Sequence, residues 1–511
     1  MKIRIRQHSF LAVCLAYLGI PVIIFAFGAL RIWWAVILLL LLAVPAVLIV
    51  RNIRKEHIPG GKDDTCISLK MFLAAFALIS VWVYFGGIGE FSWTTADHPY
   101  RAAILNDLID YKWPVVYDMS RQAGALRGMT GMRALAYYYT FWTVPALAGK
   151  MFGITAARAV LVLWSVTGLM LVFTGICTIQ KKPSFTALLM MIIFSTFDFI
   201  PLTVMDILNV YDGSWEGWNL HLNIHSNTFQ IMNVFNQSIP GWLAAVLLLK
   251  YRDCRIIAFT GGMTFCYSPW GAVGMVPVAV YYWIFGKDGK RNRIKDMFSV
   301  CNILPAAGIL LFIAPFYMLN TLTKRGWTVT FYKSTPAFIL SLILYAVFEA
   351  GIWFLLLWPY RKKDNSILYD RKLFIATAAV FVFLPFYLVG GFTHDLLMRG
   401  SLIPFFILTV MSVLKLDEIV APVRSGDHLN IKSAGFLLTY FLAALTPIML
   451  IVASVAGTVE MYKEYGFDNP DRYPLGSFGN VRDEEYADGV KDIFLSDNYE
   501  DTLFFRYLAR E

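Results

Sequence analysis

Long apolar runs decide what this chain can fold into. Stretches of about 20 apolar residues recur near 10–30, 32–50, 71–88, 154–178, 185–205, 230–250, 298–320, 336–358, 373–391, 400–414 and 434–456. A helix of that length crosses ~30 Å of hydrocarbon and satisfies its own backbone. With 58% hydrophobic and 15% charged residues, the 511-residue chain carries too little charge for a soluble protein. The sequence predicts an all-α integral membrane protein of about 11–13 transmembrane helices. The run at 400–414 is short and must start earlier or lie in a thin region. The start, MKIRIRQHSF, resembles a signal peptide but lacks an A-x-A site, so it reads as a retained first helix.

Two apolar segments break the pattern. Residues 133–153, RALAYYYTFWTVPALAGKMFG, carry Pro145 near the middle and Lys150 near the end. Residues 256–286 are too long for one span and contain Ser268-Pro269, which reads as a re-entrant pair of half-helices. Basic clusters at Lys2–Arg6, Arg51–Lys55, Lys181–Lys182, Lys250–Arg255, Lys287–Lys295 and Arg361–Lys372 should all face the cytoplasm. They do so if 133–153 lies along the interface without crossing and 256–286 returns to its starting side. The N-terminus is then cytoplasmic. Segments 87–133, 206–229, 321–335 and 390–399 face outward, with the 457–511 tail beyond the 1–456 membrane domain. The expected location is a bacterial plasma membrane with an extracytoplasmic active site. The net charge of +9 belongs to topology and does not point to nucleic acid.

The outer segments hold the candidate chemistry. In TTADHPYRAAILNDLIDY, Asp97-His98-Pro99 opens a short helix. Its apolar face, Ile104, Leu105, Leu108 and Ile109, suits the membrane surface, and Asp107 and Asp110 read as solvated charges. Asp97 is the first candidate for a general base, with helix capping as its competing explanation. Glu90, just past a span, is the second, against an ordinary interfacial charge. In WEGWNLHLNIHSN, His221 and His225 are four apart, on one face if the segment is helical. With Glu216 they could bind a divalent metal, but the usual glutamate beside the first His is absent, and substrate hydrogen bonding or packing is preferred. Lys324 and Arg325 follow one span; His394, Asp395 and Arg399 sit in GGFTHDLLMRGSLIP. Arg399 could clamp a phosphate, or pair with Asp395, or snorkel to headgroups. Asn233, Asn236 and Gln237 either line a cavity or bond neighbouring helices. The six cysteines form no CxxC, which gives no support to a metal or disulfide framework.

TTADHPY, the helix Pro99–Tyr111 and the stretch YYYTFWTVPALAGKMFG together resemble polytopic glycosyltransferases of the GT-C fold. The same region, with SNTFQIMNVFNQSIPGWLA and THDLLMRGSLIP, is similar to an uncharacterised bacterial branch of that fold. The likeness covers about the first two-thirds of the chain and a stretch near 394–404. It implies an inverting enzyme that takes a sugar from polyprenyl phosphate to an extracytoplasmic glycan, lipid or protein. Asp97 would then be the base; the likeness calls for no certain cofactor, a divalent metal being the weaker expectation. His98, Arg101, His221, His225, Lys324, Arg325, His394, Asp395 and Arg399 would contact substrate. Many members carry paired acids where this chain has His98, which leaves metal dependence and the choice between Asp97 and Glu90 open.

The rival reading is a lipid or glycolipid transporter. The broken segment 256–286 supports it. The absence of an internal repeat and of buried acids other than Asp198 opposes it. A membrane acyltransferase would need a histidine deep in a span, and the outer histidines here are in loops.

Overall fold

The computed structural model describes residues 1–510 apart from 57–63, 96, 122–123, 210–215, 286–292, 320–323, 362–365, 391–392, 425–427, 429–430 and 467–474. Parts of all four outer segments and of the tail, and most of the Lys287–Lys295 cluster, lie outside the described residues. Among the described residues eight helices are long and apolar enough to cross a membrane, so the chain is an integral membrane protein built on helices. They are α1 (Gln7–Ala29), α2 (Ile32–Glu56), α6 (Ile154–Gln180), α9 (Asn227–Tyr251), α12 (Ile294–Tyr317), α13 (Thr335–Leu357), α15 (Asp395–Pro422) and α16 (Ser433–Tyr465). Two apolar helices of 17 residues, α3 (Leu69–Phe85) and α11 (Pro269–Phe285), are slightly shorter. Among the described residues the shorter helices are α4 (His98–Asp110), α5 (Thr143–Phe152), α7 (Phe185–Ile193), α8 (Phe199–Ile207), α10 (Ile257–Tyr267), α14 (Arg371–Phe383) and α17 (Glu484–Gly489) in the tail.

Several boundaries differ from the hydropathy reading for physical reasons. The short run at 400–414 is the middle of a 28-residue helix whose first turn contains Asp395 and Arg399, so polar residues hid its start. The expected span at 185–205 is two nine-residue helices separated by extended residues 194–197. The backbone of that break is satisfied by protein: Asn227 N donates to Phe194 O at 3.0 Å, and Trp353 Nε1 to Ser195 O at 2.9 Å. Such pairing is what lets irregular backbone sit among membrane helices. The helix pair α10 and α11 breaks at Ser268, whose hydroxyl accepts from Gly271 N at 3.1 Å. Helix α5 has ten residues, about half the length a crossing needs.

Three small antiparallel sheets were not foreseen. Strand β1 (Lys2–Ile5) pairs with β2 (Thr65–Ser68), Lys2 opposite Ser68. Strands β3 (Val116–Asp118), β4 (Met132–Leu135) and β7 (Leu495–Ser496) form a sheet in which the tail lies against the first long loop. Strand β5 (Lys324–Trp327) pairs with β6 (Tyr387–Gly390), Lys324 opposite Gly390.

The first loop is folded inward. Ile104, Leu105 and Leu108 of α4 are buried in protein, so this face does not lie on the membrane as expected. Asp107 is likewise fully buried rather than solvated. Its carboxylate accepts from Tyr117 Oη at 2.7 Å, Phe478 N at 2.9 Å and the Ser477 hydroxyl, joining α4 to β3 and the tail.

Burial pushes the Asp107 carboxyl up to about 6 against the lowering effect of these donors. A group whose pKa rises on folding contributes stability that is complete below about pH 4 and lost as pH climbs through about 6. Asp107→Asn should remove this dependence. Thermal unfolding in detergent is expected to show wild type losing stability relative to the variant between pH 4.5 and 7.5; parallel curves would refute the assignment.

Candidate active site beside the kinked helix

Helix α9 creates the site through its irregularity. Val234 departs from helical geometry (φ −138°, ψ 33°), and Pro240 lacks the N–H that would pair with the Asn236 carbonyl. One carbonyl of the kinked stretch, that of Met232, lies 2.6 Å from His98 Nε2; a carbonyl can only accept, so this nitrogen carries the proton. His98 thereby fastens the start of α4 to the kink. Its partner at the same corner is Thr95, whose hydroxyl donates to Asn233 Oδ1 at 2.6 Å.

Asp97 precedes α4 in helical geometry (φ −78°, ψ −21°), and its side chain makes no capping bond. The carboxylate instead accepts from Arg101 Nη2 at 3.0 Å. The two differ sharply in environment: the Asp97 side chain is 47% exposed and that of Arg101 8%. The Arg101 guanidinium lies 5.8 Å over the Phe235 ring. Its Nε and Nη1 are buried and have no hydrogen-bond partner among the described residues.

The opposite wall comes from α15. Arg399 Nε is 3.8 Å from Asp395 Oδ1, too long for a hydrogen bond, and is also buried and unpartnered. Asp97 and Arg399 lie within electrostatic reach of each other, and both reach His225 and Tyr137. Asn236, fully buried on α9, has neither amide atom hydrogen-bonded among the described residues. Gln237 donates to Tyr138 Oη at 3.2 Å and accepts from Ser268 Oγ at 2.8 Å, linking this region to the break between α10 and α11. Gly274 of α11 fixes the depth of α15, because a Cβ there would lie 1.7 Å from Gly400 O, next to Arg399.

His98, His225 and His394 are neutral near pH 7. Burial, reinforced by Arg101, lowers His98 to about 4. Burial and the Arg399 charge lower His225 to about 3. His225 stacks on Phe229 at 4.0 Å, with Nδ1 3.8 Å from Glu216 Oε2. Burial lowers His394 to about 4, and both its ring nitrogens are engaged: Nδ1 accepts from Leu397 N at 3.1 Å, and Nε2 is 3.1 Å from Leu384 O. His394 is the cap of α15.

Other candidates are placed elsewhere. Glu90 is buried in an ion pair with Arg158 of α6 (2.7 Å), in a turn where it takes φ +64°, so it is not an ordinary interfacial charge. His221 packs edge-on against Phe331 and Tyr332. The expected shared helical face of His221 and His225 does not form. Asn219 Oδ1 accepts from His221 N (2.9 Å) and Leu222 N (3.0 Å), which holds the segment in a non-helical loop. Among the described residues no group of three or more His, Cys, Asp or Glu could hold a metal ion. Arg325 is exposed on β5, and the side chain of Lys324 lies outside the described ones.

The sequence reading missed a second polar centre. Glu349 lies in the middle of α13, where the helix takes a π turn over Tyr345–Gly351, and it is 1% exposed. It accepts from Trp218 Nε1 (2.6 Å) and Ile224 N (3.0 Å), and it lies within electrostatic reach of Asp198 in the α7–α8 break. Glu216 accepts from the amide (2.9 Å) and hydroxyl of Ser226, the residue that caps α9. Burial raises Glu216 to about 7. The view that the spans hold no buried acid but Asp198 is therefore wrong. A lone acid in the apolar run 336–358 was the available signal. No family model, curated protein or solved structure matches this chain.

Truncating Glu349 leaves two buried donors without a partner. Glu349→Ala is expected to cost roughly 2–5 kcal/mol of stability, and Glu349→Gln, which keeps an acceptor, clearly less. Thermal unfolding of both variants in one detergent checks the order; equal losses would mean that the acceptor is not what matters.

Proposed function

We propose that the protein is a membrane glycosyltransferase of the GT-C type. It would transfer a sugar from polyprenyl phosphate to a hydroxyl of an extracytoplasmic glycan, lipid or protein. The observation that carries this reading is a half-exposed carboxylate, Asp97, paired with the buried Arg101 and within electrostatic reach of the half-buried Arg399, both of which carry N–H donors unpartnered among the described residues. Asp97 takes the proton from the acceptor hydroxyl as its oxygen bonds to the anomeric carbon. The bond from that carbon to the phosphate oxygen breaks, and the phosphate leaves with the electron pair, with inversion at carbon. Arg101 and Arg399 donate to the charge growing on the phosphate. Asn236, Tyr137 and His225 surround the sugar. His98 and Glu90 hold the loop that carries Asp97, acting through its position.

Asp97→Asn should fold normally and lose at least about a hundredfold in transfer, the usual scale for losing a positioned base. The assay compares glycolipids made in cells carrying either protein, with purified yield as the folding control. Near-normal transfer by a well-folded Asp97→Asn protein would sink the base assignment.

One observation favours a transporter instead: the buried, neighbouring carboxyl groups of Asp198 and Glu349 among the membrane helices. Proteoliposomes separate the two readings. Lipid or proton movement abolished by Glu349→Gln but untouched by Asp97→Asn would support transport.

A further inference from the structure

A second amphiphilic site lies away from the Asp97 mouth. At the end of α1 opposite the basic N-terminal strand is an open groove of ≈ 820 Å³. Ile23, Ile24, Phe27, Leu147 and Phe505 give it an apolar floor and side, and Lys112, Lys150 and Arg510 stand along its rim. Asp97 begins the 13-residue α4 and the groove lies past its far end, about 20 Å away at 1.5 Å per residue.

The rim is rigid. The Trp113 ring lies against Gly28, where a Cβ would sit 2.2 Å from ring carbon Cε3. Trp113 Nε1 donates to Leu108 O at 2.7 Å. Lys150 Nζ donates to Ile109 O (2.9 Å) and Tyr111 O (2.7 Å) and stands 5.6 Å over the Trp113 ring. This leaves the ammonium one further donor. Residues 508–510 are sewn onto the end of α1: Arg31 N donates to Leu508 O and Arg510 N to Ala29 O, each at 2.9 Å. Arg510 Nη1 reaches Phe27 O at 3.4 Å. Asp110 lies within reach of Lys150 and offsets part of the charge. Among the described residues that line the groove, three are cations and none is an acid.

The position of these cations calls for an explanation. Arg4, Arg51, Arg54 and Lys55 lie at the other end of the α1–α2 hairpin. Membrane proteins concentrate Lys and Arg on one side, so a cationic rim on the opposite side runs against that bias. The groove also opens to lipid, since Ile20, Leu147, Met151 and Phe152 nearby are exposed. A ligand that fits has one phosphate for the rim and a hydrocarbon chain for the floor. We propose that this groove binds an anionic glycerophospholipid from the leaflet facing away from the basic N-terminus. Lys112, Lys150 and Arg510 would take its phosphate headgroup.

The test uses the full-length protein in detergent, titrated with phosphatidylglycerol or phosphatidylcholine and read by native mass spectrometry. Wild type is expected to retain phosphatidylglycerol in preference. K112Q/R510Q should weaken that retention by about tenfold or more. Removing the same charge at the other end, R51Q/R54Q, should leave it unchanged. Leu147→Trp fills the groove with the cations intact and should also reduce retention, which covers the case in which K112Q/R510Q misfolds. Equal retention of the two lipids by wild type overturns the proposal. So does full retention by both groove variants, or an equal loss in R51Q/R54Q.

Discussion

The structure depends on how α9 disposes of its polar side chains. Every residue from Asn227 to Leu249 except Phe229 is buried, and the first half holds Asn227, Thr228, Gln230, Asn233, Asn236, Gln237 and Ser238. A buried amide without a partner costs free energy, so each must be answered by a neighbour or left for a ligand. Thr228 receives Trp82 Nε1 (3.1 Å), and Gln230 receives Trp242 Nε1 (3.2 Å). Asn233 receives Thr95, and Gln237 joins Tyr138 to Ser268. Asn236 alone in this series has both amide atoms unpartnered among the described residues. It stands at the turn where Val234 and Pro240 loosen the backbone, so the imperfection of the helix and its unanswered polarity coincide.

The same helix joins the two polar centres. Its cap, Ser226, is held by Glu216, and residues 218–227 thread between the α7–α8 break and the π turn around Glu349. Asp198 accepts from Thr196 Oγ1 at 2.9 Å, and Glu349 from Trp218 Nε1 and Ile224 N. A buried network of this kind is costly if half satisfied and fixes geometry when complete. Here it fixes the loop that presents His225 toward Arg399, so the carboxyl centre sets the position of one wall of the mouth.

What the sequence made legible follows from which signals are local. Most apolar runs, the break at Ser268-Pro269 and the helix after Asp97 depend on neighbouring residues and are present; the run at 185–205 is split in two, and that at 373–391 gives only the 13-residue α14 before the strand Tyr387–Gly390. Burial of Asp107 was invisible because its partners, Ser477 and Phe478, lie about 370 positions away. The α4 face was read correctly as apolar and assigned to the wrong solvent, since periodicity does not distinguish protein from lipid. The His221–His225 spacing failed because Asn219 stabilises a loop in competition with the helix. Asp97, Arg101, Asp395 and Arg399 were singled out from separate segments, but only the packing of α4 and α15 around α9 could bring them together. Glu349 was overlooked because hydropathy averages a single acid away.

The asymmetry of the Asp97–Arg101 pair gives the proposed reaction a direction. A guanidinium offers five donors in a planar fork, and Arg101 uses Nη2 for Asp97 while Nε and Nη1 point elsewhere. One side chain can thus hold the base and bind a phosphate at the same time. Burying these donors beside Phe235 excludes water that would otherwise weaken their attraction for an anion. The exposed carboxylate lies on the wet side of the pair and the unpartnered donors on the protein side. In the proposed transfer the acceptor hydroxyl must then arrive from solvent at Asp97, and the phosphate from between α4 and α15. An inverting displacement would then require the anomeric carbon to sit between the acceptor hydroxyl at Asp97 and the phosphate on these donors.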